Sequence, residues 1–173
     1  TQGYGLPQGD GFVPQLEAWL TARGHDVVLI NAGVSGDTTA GGLSRVDWTL
    51  TREVDALIVA LGGNDLLRGI DPAASRANLD GILTRAAPRP VLLVGMQAPG
   101  NYGPAYKQAF DAMYPELAET HGALYAPSFL AGLEAREQGI RSEIEQAANE
   151  REEAAKLLAE HKQQLAQSRQ EAQ

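Results

Sequence analysis

Ala56-Leu57-Ile58-Val59-Ala60-Leu61-Gly62-Gly63-Asn64-Asp65 decides the fold class. A short continuous apolar run stopped by two glycines reads as a strand buried on both faces, and such strands belong to parallel sheets. The same alternation continues on either side. Phe12, Leu16, Trp19 and Leu20 repeat at helical spacing, with Gly24 as a stop. Val27–Ile30 reads as a short strand. Asp37 or Thr38 can cap a helix carrying Leu43, Val46 and Leu50. Asp71-Pro72 opens a helix with Leu79, Ile82 and Leu83 on one face. Pro90–Val94 reads as a strand, and the Gly/Pro loop Ala98–Pro104 leads into a helix bearing Tyr106, Phe110, Met113, Tyr114 and Leu117. Leu124–Ala126 reads as a short fourth strand. Strands alternating with helices predict an α/β fold, a parallel sheet with helices on both faces. Ligands in such sheets lie beyond the carboxyl ends of the strands, in the loops after Ile30, Leu61 and Val94.

Composition divides the chain near Leu133. Residues 1–133 hold 18 of the 19 Gly, all nine Pro and every aromatic residue, with 8 Lys+Arg against 13 Asp+Glu, a net of −5. Residues 134–173 have one Gly, no Pro and no aromatic, with 6 basic against 9 acidic residues, a net of −3. The expected organisation is therefore an α/β domain over 1–133 and one extended, coiled-coil-like helix over 134–173. Ile140, Ile144, Ala147, Ala154, Leu158, Leu165 and Ala172 form a thin seam in that helix, suited to a helical partner or a second copy. The competing reading is a solvated single helix supported by Glu137–Arg141 and Glu152–Lys156 pairs.

With no Cys among 173 residues, disulfide scaffolds and thiol nucleophiles are excluded. A net charge of −8 argues against nucleic acid as a partner. No apolar run is long enough to span a bilayer, and the start of the sequence shows no basic-then-apolar leader.

Three loops can carry chemistry. Asn31-Ala32-Gly33-Val34-Ser35-Gly36-Asp37-Thr38 is either a plain strand-to-helix turn or a turn that aims backbone N–H groups at a developing negative charge. Ser35 is no nucleophile elbow, because Gly36 comes directly after it. Gly62-Gly63-Asn64-Asp65 is either a tight turn or the seat of a neutral amide donor, Asn64. Gln97–Pro104 reads as a pocket wall, to which Tyr102 contributes an amphipathic face.

Taken together, Asn31–Thr38, Leu61–Gly69 and Ala98–Tyr114 resemble the SGNH (GDSL) hydrolases, in their branch of bacterial arylesterases and multifunctional thioesterase/lysophospholipases. Thr1-Gln2-Gly3-Tyr4-Gly5 resembles the segment just after the nucleophile in that branch. The resemblance covers about residues 1–130. It implies a flavodoxin-like sheet and hydrolysis of a small-molecule ester or thioester by a Ser-Asp-His triad, with no metal or organic cofactor. It implies an oxyanion hole to which Gly36 and Asn64 belong, with Gly63, Asp65 and Tyr102 beside the substrate. The expected setting is a bacterial periplasm or cytoplasm, the compartment itself being left open, and no membrane span is expected.

The match is partial. Thr1 corresponds to the second residue after the family's serine, so that serine, and the strand before it, fall outside these residues. No serine here lies in a Gly-Asp-Ser context. None of His25, His121 and His161 stands three positions after an Asp; Ala22, Ala118 and Leu158 occupy those places instead. The sheet is expected to lack its first strand, and this chain to lack turnover. Residues 134–173 resemble the peripheral-stalk b subunit of F-type ATP synthases, through Arg-Glu-Gln-Gly-Ile-Arg-Ser-Glu-Ile and the run from Glu152 to Leu165. That resemblance implies an alternative, non-catalytic role as an interaction or fusion protein.

Overall fold

A computed structural model of the chain describes residues 1–51 and 53–171; for 134, 135 and 157–171 it describes the backbone alone. It comprises two units, Thr1–Phe129 and Leu130–Gln173.

In the first unit the helices are α1 (Phe12–Thr21), α2 (Thr39–Thr49), α3 (Gly63–Leu67), α4 (Pro72–Ala86) and α5 (Pro104–His121), and the strands are β1 (Leu57–Val59), β2 (Val91–Val94) and β3 (Leu124–Ala126). The strands form one parallel sheet in the order β1-β2-β3, with Ile58 opposite Leu92 and Leu93 opposite Tyr125. The helix starts obey local chemistry. Thr38 caps α2 by accepting from the Gly41 N–H, and Asp71 caps α4 by accepting from the Ala73 N–H, with Pro72 next in line. Of the two candidate caps for α2 the hydroxyl is the one used; Asp37 pairs with Arg45 instead.

Leu79, Ile82 and Leu83 of α4 and Phe110, Met113, Tyr114 and Leu117 of α5 bury against Val59, Val91 and Leu93 of the sheet. Each such side chain contributes about 1.5–3 kcal/mol by leaving water. The Arg76–Glu116 ion pair and the His121–Asp80 hydrogen bond, which join α4 to α5, lie at the surface and add little.

Val27–Ile30 corrects one expectation: this segment is not a strand. Its residues have strand composition, but β1 pairs with β2 alone, and residues 25–30 join no ladder. Without a ladder most of these side chains stay exposed, and Val28 is 81% exposed. In β1, Leu57 and Val59 turn their polar groups to β2, as the Leu57 N–H to Pro90 bond shows. The polar groups of Ile58 therefore face away from β2.

The second unit is one helix, α6 (Ala131–Glu171). Its side chains from Arg136 to Lys156 are exposed, Ile140 and Ile144 included. The pairs Glu137–Arg141 and Glu152–Lys156 form at 2.8 Å each. The seam side chains Leu158 and Leu165 and residue Ala172 lie outside the described residues. No described helix is long and apolar enough to cross a membrane.

Candidate functional site

The loop after β1 is not a simple turn. Gly62 takes φ +111, and the chain then enters the short helix α3. Only glycine suits that backbone, and a Cβ there would overlap the Tyr114 hydroxyl. Gly63 packs against the sulfur of Met96, in the loop after β2. The helix turns Asn64 and Asp65 toward the loop that precedes α2.

Those two neighbouring side chains behave differently. Asn64, half-buried, donates from Nδ2 to the Asp37 carbonyl at 2.8 Å, which leaves its second N–H for a further acceptor. Asp65 is fully buried and accepts from the Thr39 N–H (2.9 Å), the Thr39 hydroxyl (2.5 Å) and the Ser75 hydroxyl (3.0 Å). Asp65, expected beside the substrate, is thus enclosed in this structure. With no exposed surface, its oxygens bond the first residue of α2 and Ser75 of α4.

The partner loop is tied at almost every step. Arg45 donates to the Ala32 carbonyl and to the Asp37 carboxylate, both at 2.7 Å. Arg68 donates to the Gly36 carbonyl at 2.9 Å. The Asp37 N–H closes a turn onto the Val34 carbonyl, with Gly36 third in the turn at φ +75, as a type II turn requires. Carbonyls 36 and 37 are thus both engaged, while among the described residues no group accepts from the Gly36 N–H. Asn31 donates to the Gln2 carbonyl at 3.3 Å, so the first residues of the chain run beside this loop.

Three tyrosines hold the 61–70 segment from the α5 side. Tyr114 donates to the Leu61 carbonyl at 3.0 Å, Tyr106 to the Ile70 carbonyl at 2.9 Å, and Tyr102 reaches the Leu67 carbonyl at 3.5 Å. Their rings, with Phe110, form a continuous file from Tyr102, 43% exposed beside Gly69, to fully buried Tyr114. Burial pushes the Tyr106 and Tyr114 hydroxyls above the usual phenol range, so both remain donors at neutral pH. The sequence pattern places Tyr106 and Tyr114 on the helix after the Ala98–Pro104 loop and gives them no further role. The signal for more was present, since Tyr102, Tyr106, Phe110 and Tyr114 recur every four residues.

The site therefore brings Gly36 and Asn64 onto adjoining loops, with Gly63 and Tyr102 on the segments that flank Asn64. The described His residues lie elsewhere: His121 pairs with Asp80 between α4 and α5, beside a cavity lined by Leu83, Arg89 and Val91. A neutral amide and a backbone N–H beside it can stabilise an oxygen that gains negative charge.

Comparison with known proteins bears on this geometry. The GDSL-like lipase/acylhydrolase family profile matches residues 1–162. Esterase TesA of Pseudomonas aeruginosa is 43% identical over 132 residues, which are 75% of this chain and 66% of that protein. Thioesterase 1/protease 1/lysophospholipase L1 of Escherichia coli K12 is 39% identical over 105 residues, 59% of this chain and 50% of that protein. The chain thus spans between half and two thirds of these relatives. Among solved structures, the SGNH-hydrolase family esterase AlinE4 superposes with a TM-score of 0.73 at 47% identity, covering 76% of this chain and 72% of that one. None of these matches supports the ATP synthase resemblance, and the family profile itself extends into α6.

Proposed function

The chain belongs to the GDSL-like lipase/acylhydrolase family, and from that premise we propose that its first unit is the oxyanion-binding part of a carboxylic ester or thioester hydrolase of arylesterase or lysophospholipase type. The observation that carries the reading is the Asn64 amide bonded to the carbonyl of Asp37, the residue after Gly36. On this reading the Gly36 N–H, on the residue before that carbonyl, is the second donor. In acyl transfer the substrate carbonyl oxygen becomes an oxyanion as a nucleophile adds. The Gly36 N–H and the free Asn64 N–H stabilise that charge, each contributing about 3–4 kcal/mol to the barrier reduction. Tyr102 and Gly63 flank the acyl and leaving groups. Thr1–Gly5, which resemble the segment just after the family's nucleophile, run beside the Asn31 loop.

The 173 residues contain no Gly-Asp-Ser serine and no Asp-x-x-His. This polypeptide therefore binds an acyl oxygen without turning an ester over. Its relatives from Pseudomonas aeruginosa and Escherichia coli support a bacterial origin. A second reading, a non-catalytic interaction protein, is favoured by the exposed helix α6 alone. Its mark is a helical signal that rises with concentration.

Titration of the full chain with butyrate, monitored by amide NMR, tests the proposal. The Gly36 backbone amide and the Asn64 side-chain amide should shift together on one saturating isotherm. Saturation elsewhere with both signals unmoved would defeat it.

A further inference from the structure

We propose that Asp65 is a positioning residue for the oxyanion donors: its buried carboxylate fixes the register between the loop carrying Gly36 and the helix carrying Asn64. This rests on the reading of Gly36 and Asn64 as oxyanion donors and adds what holds them together.

A carboxylate with no exposed surface is costly unless its oxygens are satisfied. Here they are satisfied by hydroxyls and one N–H, and among the described residues no Lys or Arg pairs with it. Two of its three bonds come from Thr39, the first residue of α2, where the positive end of the helix dipole favours a negative charge. The third comes from Ser75 of α4, and Asn78 of α4 donates to the same Thr39 hydroxyl at 3.1 Å. Asn64 meanwhile binds the Asp37 carbonyl. Adjacent side chains of α3 thus grip the partner chain segment at Asp37 and at Thr39, two residues apart. A slip of one grip misplaces the other.

Electrostatics separates this role from a direct one. The negative charge of Asp65 opposes an anion bound at its neighbour Asn64. Asp65 can therefore favour oxyanion binding only through geometry. If charge were its main effect, Asp65→Asn would tighten butyrate; as a positioning residue, its replacement weakens butyrate.

The test compares Asp65→Asn, Thr39→Val and Ser75→Ala in the full chain, by butyrate titration and by thermal melting. Thr39→Val and Ser75→Ala each remove one hydroxyl bond to Asp65 Oδ1, the first from α2 and the second from α4. Asp65→Asn should weaken butyrate roughly tenfold, the net value of one hydrogen bond. Thr39→Val should weaken it several-fold, and Ser75→Ala less than twofold, although both melt earlier. Tighter or unchanged binding by Asp65→Asn overturns the proposal. So does a loss of affinity that tracks melting temperature equally in Thr39→Val and Ser75→Ala. If Asp65→Asn fails to fold, the Thr39/Ser75 comparison decides. If the unsubstituted chain does not bind butyrate, the functional reading fails by itself. Hydrogen exchange at Gly36 and Asp37 then decides the positioning role: faster exchange in Thr39→Val alone supports it, and equal acceleration in both variants overturns it.

Discussion

Replacing Gly62 by alanine tests how the Asn64 loop is held. At φ +111 a side chain lies outside even the left-handed well, at a cost of about 1–3 kcal/mol. The new Cβ would also overlap the Tyr114 hydroxyl, so that ring must move and release the Leu61 carbonyl. Repacking a fully buried ring and losing its hydrogen bond adds about 2–3 kcal/mol. The sum, about 3–6 kcal/mol, corresponds to a fall of roughly 10–20 °C in melting temperature for a domain of this size. Calorimetry of Gly62→Ala measures it. Tyr114→Phe supplies the control, because it removes the overlapping oxygen and leaves the ring carbon 3.3 Å from the Cβ position. In that background Gly62→Ala should cost only the backbone strain, about 1–3 kcal/mol. A double-mutant cycle should therefore show a coupling of about 2–3 kcal/mol. Equal cost in both backgrounds would refute the contact between Gly62 and Tyr114 as the reason for the glycine.

The 173-residue chain should hydrolyse 4-nitrophenyl acetate no faster than buffer; turnover that survives purification and is abolished by Ser35→Ala would show that a serine outside the family pattern had been recruited. Tyr114 has its folded pKa raised by burial, with the Asp65 charge adding to it, so its contribution to stability is complete below the free-tyrosine pKa of about 10. That contribution is lost as pH climbs from there through the folded value. Denaturant titrations should show a stability decline above about pH 10 that Tyr114→Phe reduces, and an unchanged decline would count against it. Helix α6 should exchange its amides far faster than α5 in dilute solution, since its described side chains from Arg136 to Lys156 lie in water; strong protection throughout the helix at low concentration would contradict that exposure.

Much of the fold was legible because local chemistry decides it. Asp71-Pro72 announced the start of α4, and the apolar spacing of Phe110, Met113, Tyr114 and Leu117 announced the buried face of α5. Val27–Ile30 failed because residue type records how a side chain suits a pleated surface, and says nothing of whether a neighbouring strand exists to complete the ladder. Gly62-Gly63-Asn64-Asp65 was readable as a place where chemistry could sit. Which way each side chain turns was not, and a single helical step separates half-buried Asn64 from fully buried Asp65. The braces from Arg45 and Arg68 were equally invisible, since Arg68 reaches Gly36 across 32 residues of sequence. Long-range polar contacts of this kind leave no periodic trace.

Whether Gly36 and Asn64 address one oxygen is decided by a crystal structure of the chain soaked with butyrate. A carboxylate oxygen should lie within about 2.7–3.1 Å of both the Gly36 nitrogen and Asn64 Nδ2, with the Asn64 bond to the Asp37 carbonyl preserved. A carboxylate bound at only one of these donors, or the two donors facing different sides of the sheet, would contradict it.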